Sequence, residues 1–152
     1  MVDVAFAPQI NEFRGERTVQ MNVLDIRPAC SAPCSPETSD YQAMVRGALT
    51  PAIAAGLLPD RAMLAMVWRY LAAVPGPIRE TPICLCRKIV RWSGVPLSLG
   101  QLLTCLDIFR DVELLQVQRL HKNLTIHLTP GSRKADLTRS RTMQILLQAK
   151  EG

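Results

Sequence analysis

Three cationic side chains stand close together in the middle of the sequence. Arg87, Lys88 and Arg91 have the spacing that places residues on one side of a helix. A row of cations matches the repeating phosphates of a nucleic acid, so phosphate binding is the chemistry that this stripe could perform. A solvated helix face carries the same kind of charge without any ligand, and the stripe alone leaves both interpretations open.

Metal chemistry is a weaker prospect, although the chain has five cysteines and two histidines. No two cysteines form a Cys-x-x-Cys pair, and structural zinc sites usually have tighter ligand spacing than His121, His127 and these thiols offer. We therefore expect no metal or other cofactor in this chain. The cysteines are interpreted as the reduced thiols of a cytoplasmic protein.

Charge is unevenly distributed along the 152 residues. Residues 1–56 hold four basic and six acidic side chains, and residues 57–152 hold fourteen and seven, so the net charges are −2 and +7. No run of apolar residues approaches the ~20 that a membrane span needs, and no signal peptide is recognisable. We expect a soluble protein located in the cytoplasm, with a basic C-terminal part.

The basic stripe falls in a region whose pattern predicts three helices and two strands. Helices are predicted to begin after the capping residues Asp60, Thr81 and Ser98, and the last has Gln101 placed for a capping box. The period then drops to two in the strands 115–119 and 124–128. This order predicts a winged-helix-like domain over residues 57–152, followed by a C-terminal helix.

The helix after Ser98 would be the recognition helix of a winged helix, but its charge is unsuitable for DNA. Its predicted outer face has a net charge of −1 and comprises Gln101, Thr104, Asp107, Arg110 and Asp111. A helix in a major groove meets dense negative charge. We therefore interpret this face as a docking surface for protein, with Arg119 and Lys122 on the wing as electrostatic contacts without sequence specificity.

The first part of the chain has a different pattern. Residues 2–10 and 18–26 alternate between apolar and polar and predict a β-hairpin, with Gly15 in the connecting turn. Residues 28–56 begin with a Pro- and Ser-rich stretch and are predicted to be a linker with a short helix over 41–49, ended by Pro51. The whole chain is thus predicted to be α+β.

Several of these segments resemble the C-terminal region of RecJ-type single-stranded-DNA exonucleases. The segments Val2-Asp-Val-Ala-Phe6, Ile10-Asn-Glu-Phe-Arg-Gly15, Thr18-Val-Gln-Met21 and Leu24-Asp-Ile26 are similar to the last two strands of the family's oligonucleotide-binding (OB) barrel. Phe109 to Leu115 and Lys134-Ala-Asp-Leu137 with Ser140 resemble the extension of Gram-positive members. The resemblance implies that residues 1–27 are the end of an OB domain whose other strands lie upstream.

The resemblance also implies what this chain lacks. The family belongs to the Asp-His-His phosphoesterases, in which Asp and His residues hold manganese or magnesium that activates a water. This sequence contains no Asp-His-His motif. It is therefore expected to be the non-catalytic part of a 5′-to-3′ exonuclease of DNA repair and recombination, and to be inactive alone.

The expected partner is single-stranded DNA, held by cations and aromatic rings. The candidate contact residues are Phe13, Arg14, Arg17, Arg87, Lys88, Arg91, Arg119 and Lys122. A replication or repair protein is a second candidate partner, and the exposed hairpin edge predicts self-association. The alternative is a stand-alone winged-helix module for protein interaction or transcriptional regulation, which leaves the N-terminal hairpin unexplained.

Overall fold

The computed structural model describes residues 2–13, 15–28, 37–120, 122–130 and 135–151. The chain divides into two compact units, residues 1–31 and residues 32–152. The first contains a two-stranded hairpin, and the described part of the second contains six helices and a three-stranded sheet. The predicted α+β class is confirmed.

The hairpin consists of β1 (Val2–Phe13) and β2 (Glu16–Pro28), which pair antiparallel and are longer than predicted. Gly15 has a φ of +81°, a value that the absence of a Cβ makes favourable in the turn. The register shifts between Ala5 and Phe6, as in a β-bulge. Beyond this shift the pairing is regular up to the turn.

The two faces of the hairpin differ in chemistry, as the alternation predicts. Directly paired residues share a face, and the pairs Phe6–Val23, Pro8–Met21 and Ile10–Val19 make one face apolar. The other face is lined with amides: the side chain of Asn11 donates to Gln20 over 2.7 Å, and that of Asn22 donates to Gln9 over 2.8 Å. Within the first unit the apolar face is exposed.

The second unit begins with three helices, α1 (Ser39–Val45), α2 (Pro51–Leu57) and α3 (Arg61–Ala73). A short strand β3 (Ile78–Glu80), then α4 (Pro82–Ser93) and α5 (Leu99–Asp111), come next. The wing is formed by β4 (Leu115–Leu120) and β5 (Asn123–Leu128), and a 3-10 turn at Leu137–Arg139 precedes α6 (Arg141–Glu151). The antiparallel sheet has the order β3-β5-β4, so α3 to β5 follow the helix-strand-helix-helix-strand-strand order of a winged helix.

The structure corrects the sequence prediction in two places. Pro51 begins α2 rather than ending the preceding helix: the hydroxyl of Thr50 accepts from the Ile53 N–H, and α1 ends at Val45. Strand β3 was not predicted, because three residues are too few to show an alternating pattern. Within the predicted linker, α1 and α2 pack on the helical domain, where α1 contacts α5 and α2 contacts both α5 and α6.

Helix α5 is the centre of the second unit. From Leu99 to Phe109 every residue except Gln101 is buried. The predicted apolar stripe forms the core with α3 and α4, and Trp68 packs edge-on against Phe109 with ring centroids 5.4 Å apart. No helix within the described ranges is both long and apolar enough to span a bilayer.

Candidate nucleic-acid interface

Helix α4 is held at both ends by its own sequence. The Thr81 hydroxyl accepts from the Cys84 N–H over 3.3 Å, and Pro82 occupies the first turn, where no backbone N–H is needed. Gly94 closes the helix with a φ of +70°, its N–H donating to the Val90 carbonyl over 2.8 Å. The bounds agree closely with the predicted ones, so the side-chain positions expected for α4 apply.

One side of α4 is buried and the other carries the cations. Leu85, Cys86, Ile89 and Val90 face the core. Cys84 is exposed on the opposite side together with Arg87, Lys88, Arg91 and Trp92, and we call the last four the α4 basic face. The three cations singled out from the sequence therefore lie together on the surface of one helix.

Lys88 has a partner on the neighbouring strand. Its ammonium hydrogen-bonds and ion-pairs with the carboxylate of Glu80, the last residue of β3. This hydrogen bond raises the pKa of Lys88, so its charge persists well above neutral pH. The pair ties α4 to the sheet and offsets one of the positive charges of the α4 basic face.

An aromatic pair extends the α4 basic face toward α3. Tyr70 of α3 and Trp92 of α4 meet at 69° with ring centroids 5.7 Å apart. Next to them is a groove of about 480 Å³ whose lining includes Met63, Met66, Arg69, Trp92 and Val95. A basic and an aromatic surface are thus contiguous.

The predicted docking face of α5 is not a free surface. Thr104 is buried and its hydroxyl donates to the Gly100 carbonyl, while the side chain of Gln101 donates to the Gly56 carbonyl of α2. Asp111 accepts from the Ser140 hydroxyl and the Thr142 N–H at the start of α6. The interpretation of this face as a protein-docking surface is corrected: α1, α2 and α6 occupy it.

Asp107, on the same face, is part of a buried network with Tyr41 and Arg119. The Tyr41 hydroxyl donates to Asp107 over 2.5 Å, and Arg119 of β4 donates to that hydroxyl over 2.8 Å. The Asp107 carboxylate also lies 3.5 Å from Arg119 and 3.0 Å from Arg110. Burial and the Asp107 hydrogen bond raise the pKa of Tyr41, which keeps its proton. Arg119, which the sequence predicts to contact DNA, joins the wing to α1 and α5 through these contacts.

The other sequence-predicted site residues belong to other elements or lie outside the described residues. Arg17 is exposed on β2 and pairs with Glu12 over 3.4 Å. Arg14 and the side chain of Phe13 lie outside the described residues. Lys122 is exposed at the tip of the wing.

The described thiols, Cys84, Cys86 and Cys105, differ in exposure. Burial raises the pKa of Cys105 to about 12, so its thiolate is not populated at neutral pH. Cys86 is also buried and Cys84 is exposed. Among the described residues no three His, Cys, Asp or Glu side chains are grouped to hold a metal ion. Cys30, Cys34 and His121 lie outside the described residues.

Two features of the site were missed by the sequence analysis. Tyr70 and Trp92 are 22 positions apart, and only the packing of α3 on α4 brings them together. Tyr41 and Asp107 are further apart still and had no shared motif. A local signal exists for Trp92 alone, because it lies four positions after Lys88 and both residues are therefore on one side of α4.

Comparisons with protein-family models, with curated proteins and with solved structures found no match for this chain.

Proposed function

We propose that the chain is the non-catalytic C-terminal part of a RecJ-like 5′-to-3′ single-stranded-DNA exonuclease that acts in cytoplasmic DNA repair and recombination. Its role would be to hold single-stranded DNA. The observation that carries this proposal is the α4 basic face, where three cations and an exposed indole share one helix surface. Single-strand binders combine cations for the phosphates with aromatic faces for the bases.

The first unit supports the same proposal. Its hairpin exposes a continuous apolar face that a closed barrel would cover with further strands, as the RecJ resemblance implies. Arg17 contributes a cation on β2, although its pairing with Glu12 reduces its net effect. The RecJ resemblance implies that the catalytic metal, manganese or magnesium, would be held by the catalytic domains of that family.

The alternative of a sequence-specific winged-helix regulator has less support. In such a protein the helix at the position of α5 would enter the major groove. Here every residue of α5 from Leu99 to Phe109 except Gln101 is buried, and the side chains of Gln101 and Asp111 bond within the chain. The geometry therefore favours a contact through α4 without base-specific reading of duplex DNA.

The test is binding of a single-stranded oligothymidine over a range of salt concentrations. Replacing Arg87, Lys88 and Arg91 together by alanine should weaken binding and make the slope of log Kobs against log salt shallower by about 2, at ~0.7 for each phosphate contact. The urea midpoint of the variant should fall only slightly, because all three side chains are exposed and the Lys88–Glu80 ion pair that is lost lies at the surface.

A matched control removes three exposed cations elsewhere, at Arg139, Arg141 and Lys150. If net charge alone attracts the DNA, this control should weaken binding as much as the α4 triple variant. Equal losses, or an unchanged salt slope in the α4 variant, would remove the α4 basic face from the site. Failure of the unaltered chain to bind the strand would overturn the proposed function.

A further inference from the structure

We propose that Trp92 is a base-stacking platform, and that the groove beside it receives one unpaired nucleobase of the bound strand. This inference rests on the proposed function and names the subsite by which single-stranded DNA would be distinguished from duplex. None of the residues selected from the sequence as DNA contacts is aromatic apart from Phe13. Trp92 lies beside these cations on the α4 basic face, in the last turn of the helix.

The exposure of Trp92 is unusual for its type. Its relative exposure is 53 %, although tryptophan is highly buried on average in folded proteins. The second tryptophan, Trp68, is partly buried against Phe109. Trp92 is thus the more exposed tryptophan, and it shares its surface with the cations of α4 and with Arg69 of the groove.

Tyr70 fixes the orientation of the Trp92 ring. The rings meet at 69°, an edge-to-face geometry that is favourable for aromatic pairs. Because the ring is already held, a ligand that stacks on it does not have to restrict its rotation, which lowers the entropic penalty of binding. Trp92 is thus preorganised for a planar partner.

The groove next to Trp92 has the right chemistry for a base. Methionines Met63 and Met66 of α3 are partly buried in it and offer adaptable apolar contact, and Val95 forms part of its wall. Arg69 is exposed at the groove. Asp60 also lines it, but its carboxylate accepts from the Met63 N–H over 2.7 Å as the cap of α3. A phosphate would therefore lie toward Arg69 and Arg91 rather than toward Asp60.

The charge around Trp92 favours a nucleic acid over an apolar protein segment. Arg87, Lys88 and Arg91 lie on α4 with Trp92, Arg69 and Asp60 line the groove, and Glu80 pairs with Lys88, so these six charged side chains have a net charge of +2. An apolar partner covering this surface would desolvate cations without compensating charge. A single strand supplies a flat apolar base and a phosphate together. In a duplex the bases are stacked on each other and are not available to the indole.

The experiment uses the whole chain with Trp68→Phe, which leaves Trp92 as the only tryptophan. The probes are an oligothymidine and an oligomer of the same length and charge with abasic sites. We expect the oligothymidine to quench Trp92 fluorescence and the abasic strand not to do so. Trp92→Ala should weaken oligothymidine binding about 5- to 140-fold, since a stacked base contributes ~1–3 kcal/mol.

Three further measurements make the test specific. Trp92→Ala should leave abasic binding unchanged, and Trp92→Phe should recover part of the lost affinity for the oligothymidine. The Trp68→Phe chain is the matched aromatic control, because Trp68 is not on the α4 basic face, and it should bind both strands as the unaltered chain does. The urea midpoint of Trp92→Ala, compared with Trp92→Phe, shows whether any loss of affinity comes from unfolding.

The outcomes distinguish this inference from the function on which it rests. If Trp92→Ala binds the oligothymidine normally and no quenching occurs, while the α4 triple variant binds weakly, the stacking role is overturned and DNA binding stands. Equal loss of both strands by Trp92→Ala would also overturn stacking. A chain that binds neither strand overturns both. A fluorescence change caused only by a protein partner would assign Trp92 to docking.

Discussion

Helices α4 and α5 are neighbours of almost equal length, 12 and 13 residues, and each begins with a hydroxyl cap, yet they use their polar residues in opposite ways. On α4 the cations Arg87, Lys88 and Arg91 face outward. On α5 the carboxylates of Asp107 and Asp111 bond within the chain. A winged-helix order of elements therefore does not determine which helix is available to a ligand; the elements packed around each helix do.

The cause of this difference lies outside the winged-helix core. Helices α1, α2 and α6 pack against α5 and provide polar partners for it, namely Tyr41, the Gly56 carbonyl and Ser140. Polar residues on α5 thus stabilise the attachment of these additional helices. On α4, Arg87, Lys88 and Arg91 are exposed, and Lys88 pairs with Glu80 of β3, so this surface is accessible to a ligand. Substitutions on the two helices test whether polar residues serve packing on α5 and binding on α4.

Removing the carboxylate of Asp107 should be the most destabilising polar substitution on either helix. Asp107→Ala leaves the Tyr41 hydroxyl without its acceptor and the Arg119 guanidinium without its counter-ion. We expect the free energy of unfolding to fall by about 3 kcal/mol. Urea unfolding followed by tryptophan fluorescence measures this, because both tryptophans lie in the second unit.

The control for Asp107→Ala is Arg87→Ala on the exposed side of α4. This change should alter the unfolding free energy by no more than about 0.5 kcal/mol, as is usual for exposed positions. Similar losses of unfolding free energy for the two variants would show that the network around Asp107 does not stabilise the domain. The polar residues of α5 would then contribute no more to stability than those of α4.

Acid should weaken the attachment of α6 through Asp111. Burial opposes ionisation of this carboxyl, but hydrogen bonds from Thr142 and Ser140 outweigh it and lower its pKa below the ordinary 3.8. Because the folded-state pKa is the lower one, this stabilisation is fully present above the unfolded-state pKa and is lost as the pH falls through the folded value.

Asp111→Asn tests this, since it removes the charge with little change of shape. At neutral pH we expect a loss of about 1–2 kcal/mol, and the difference between variant and native chain should shrink below pH 3.8. The difference in stability between variant and native chain is used because Asp136 contributes an acid dependence of its own. Hydrogen bonds from Thr138 lower the pKa of Asp136. A difference that stays constant down to low pH would contradict the assignment to Asp111.

Local sequence patterns predicted helices α4 and α5 themselves, but not the segments that pack around them. The caps Thr81 and Ser98, and the apolar stripes that follow them, are encoded within one or two turns of chain, so α4, α5 and the wing strands could be placed from the sequence. Strand β3 depends on pairing with β5, and the burial of Asp107 depends on Tyr41, 66 residues away. Such contacts have no local signal. The basic stripe was predictable, while its aromatic extension required the packing of Tyr70 on Trp92.

The smallest effects on stability should come from the N-terminal caps of α4 and α5. The two caps can be compared directly, because in each a hydroxyl accepts from the backbone N–H three residues later. Thr81→Ala removes one acceptor at the start of α4 and should reduce stability by about 0.5–1 kcal/mol. Ser98→Ala should reduce it by about 1–2 kcal/mol, because the Ser98 hydroxyl accepts from the Gln101 N–H while Gln101 accepts from the Ser98 N–H and also donates to α2. Urea midpoints of the two variants measure the difference. Equal losses of stability would mean that the contact of Gln101 with α2 does not strengthen the N-terminal cap of α5. A larger loss for Ser98→Ala would show that the two helices already differ in their stabilisation at the first turn.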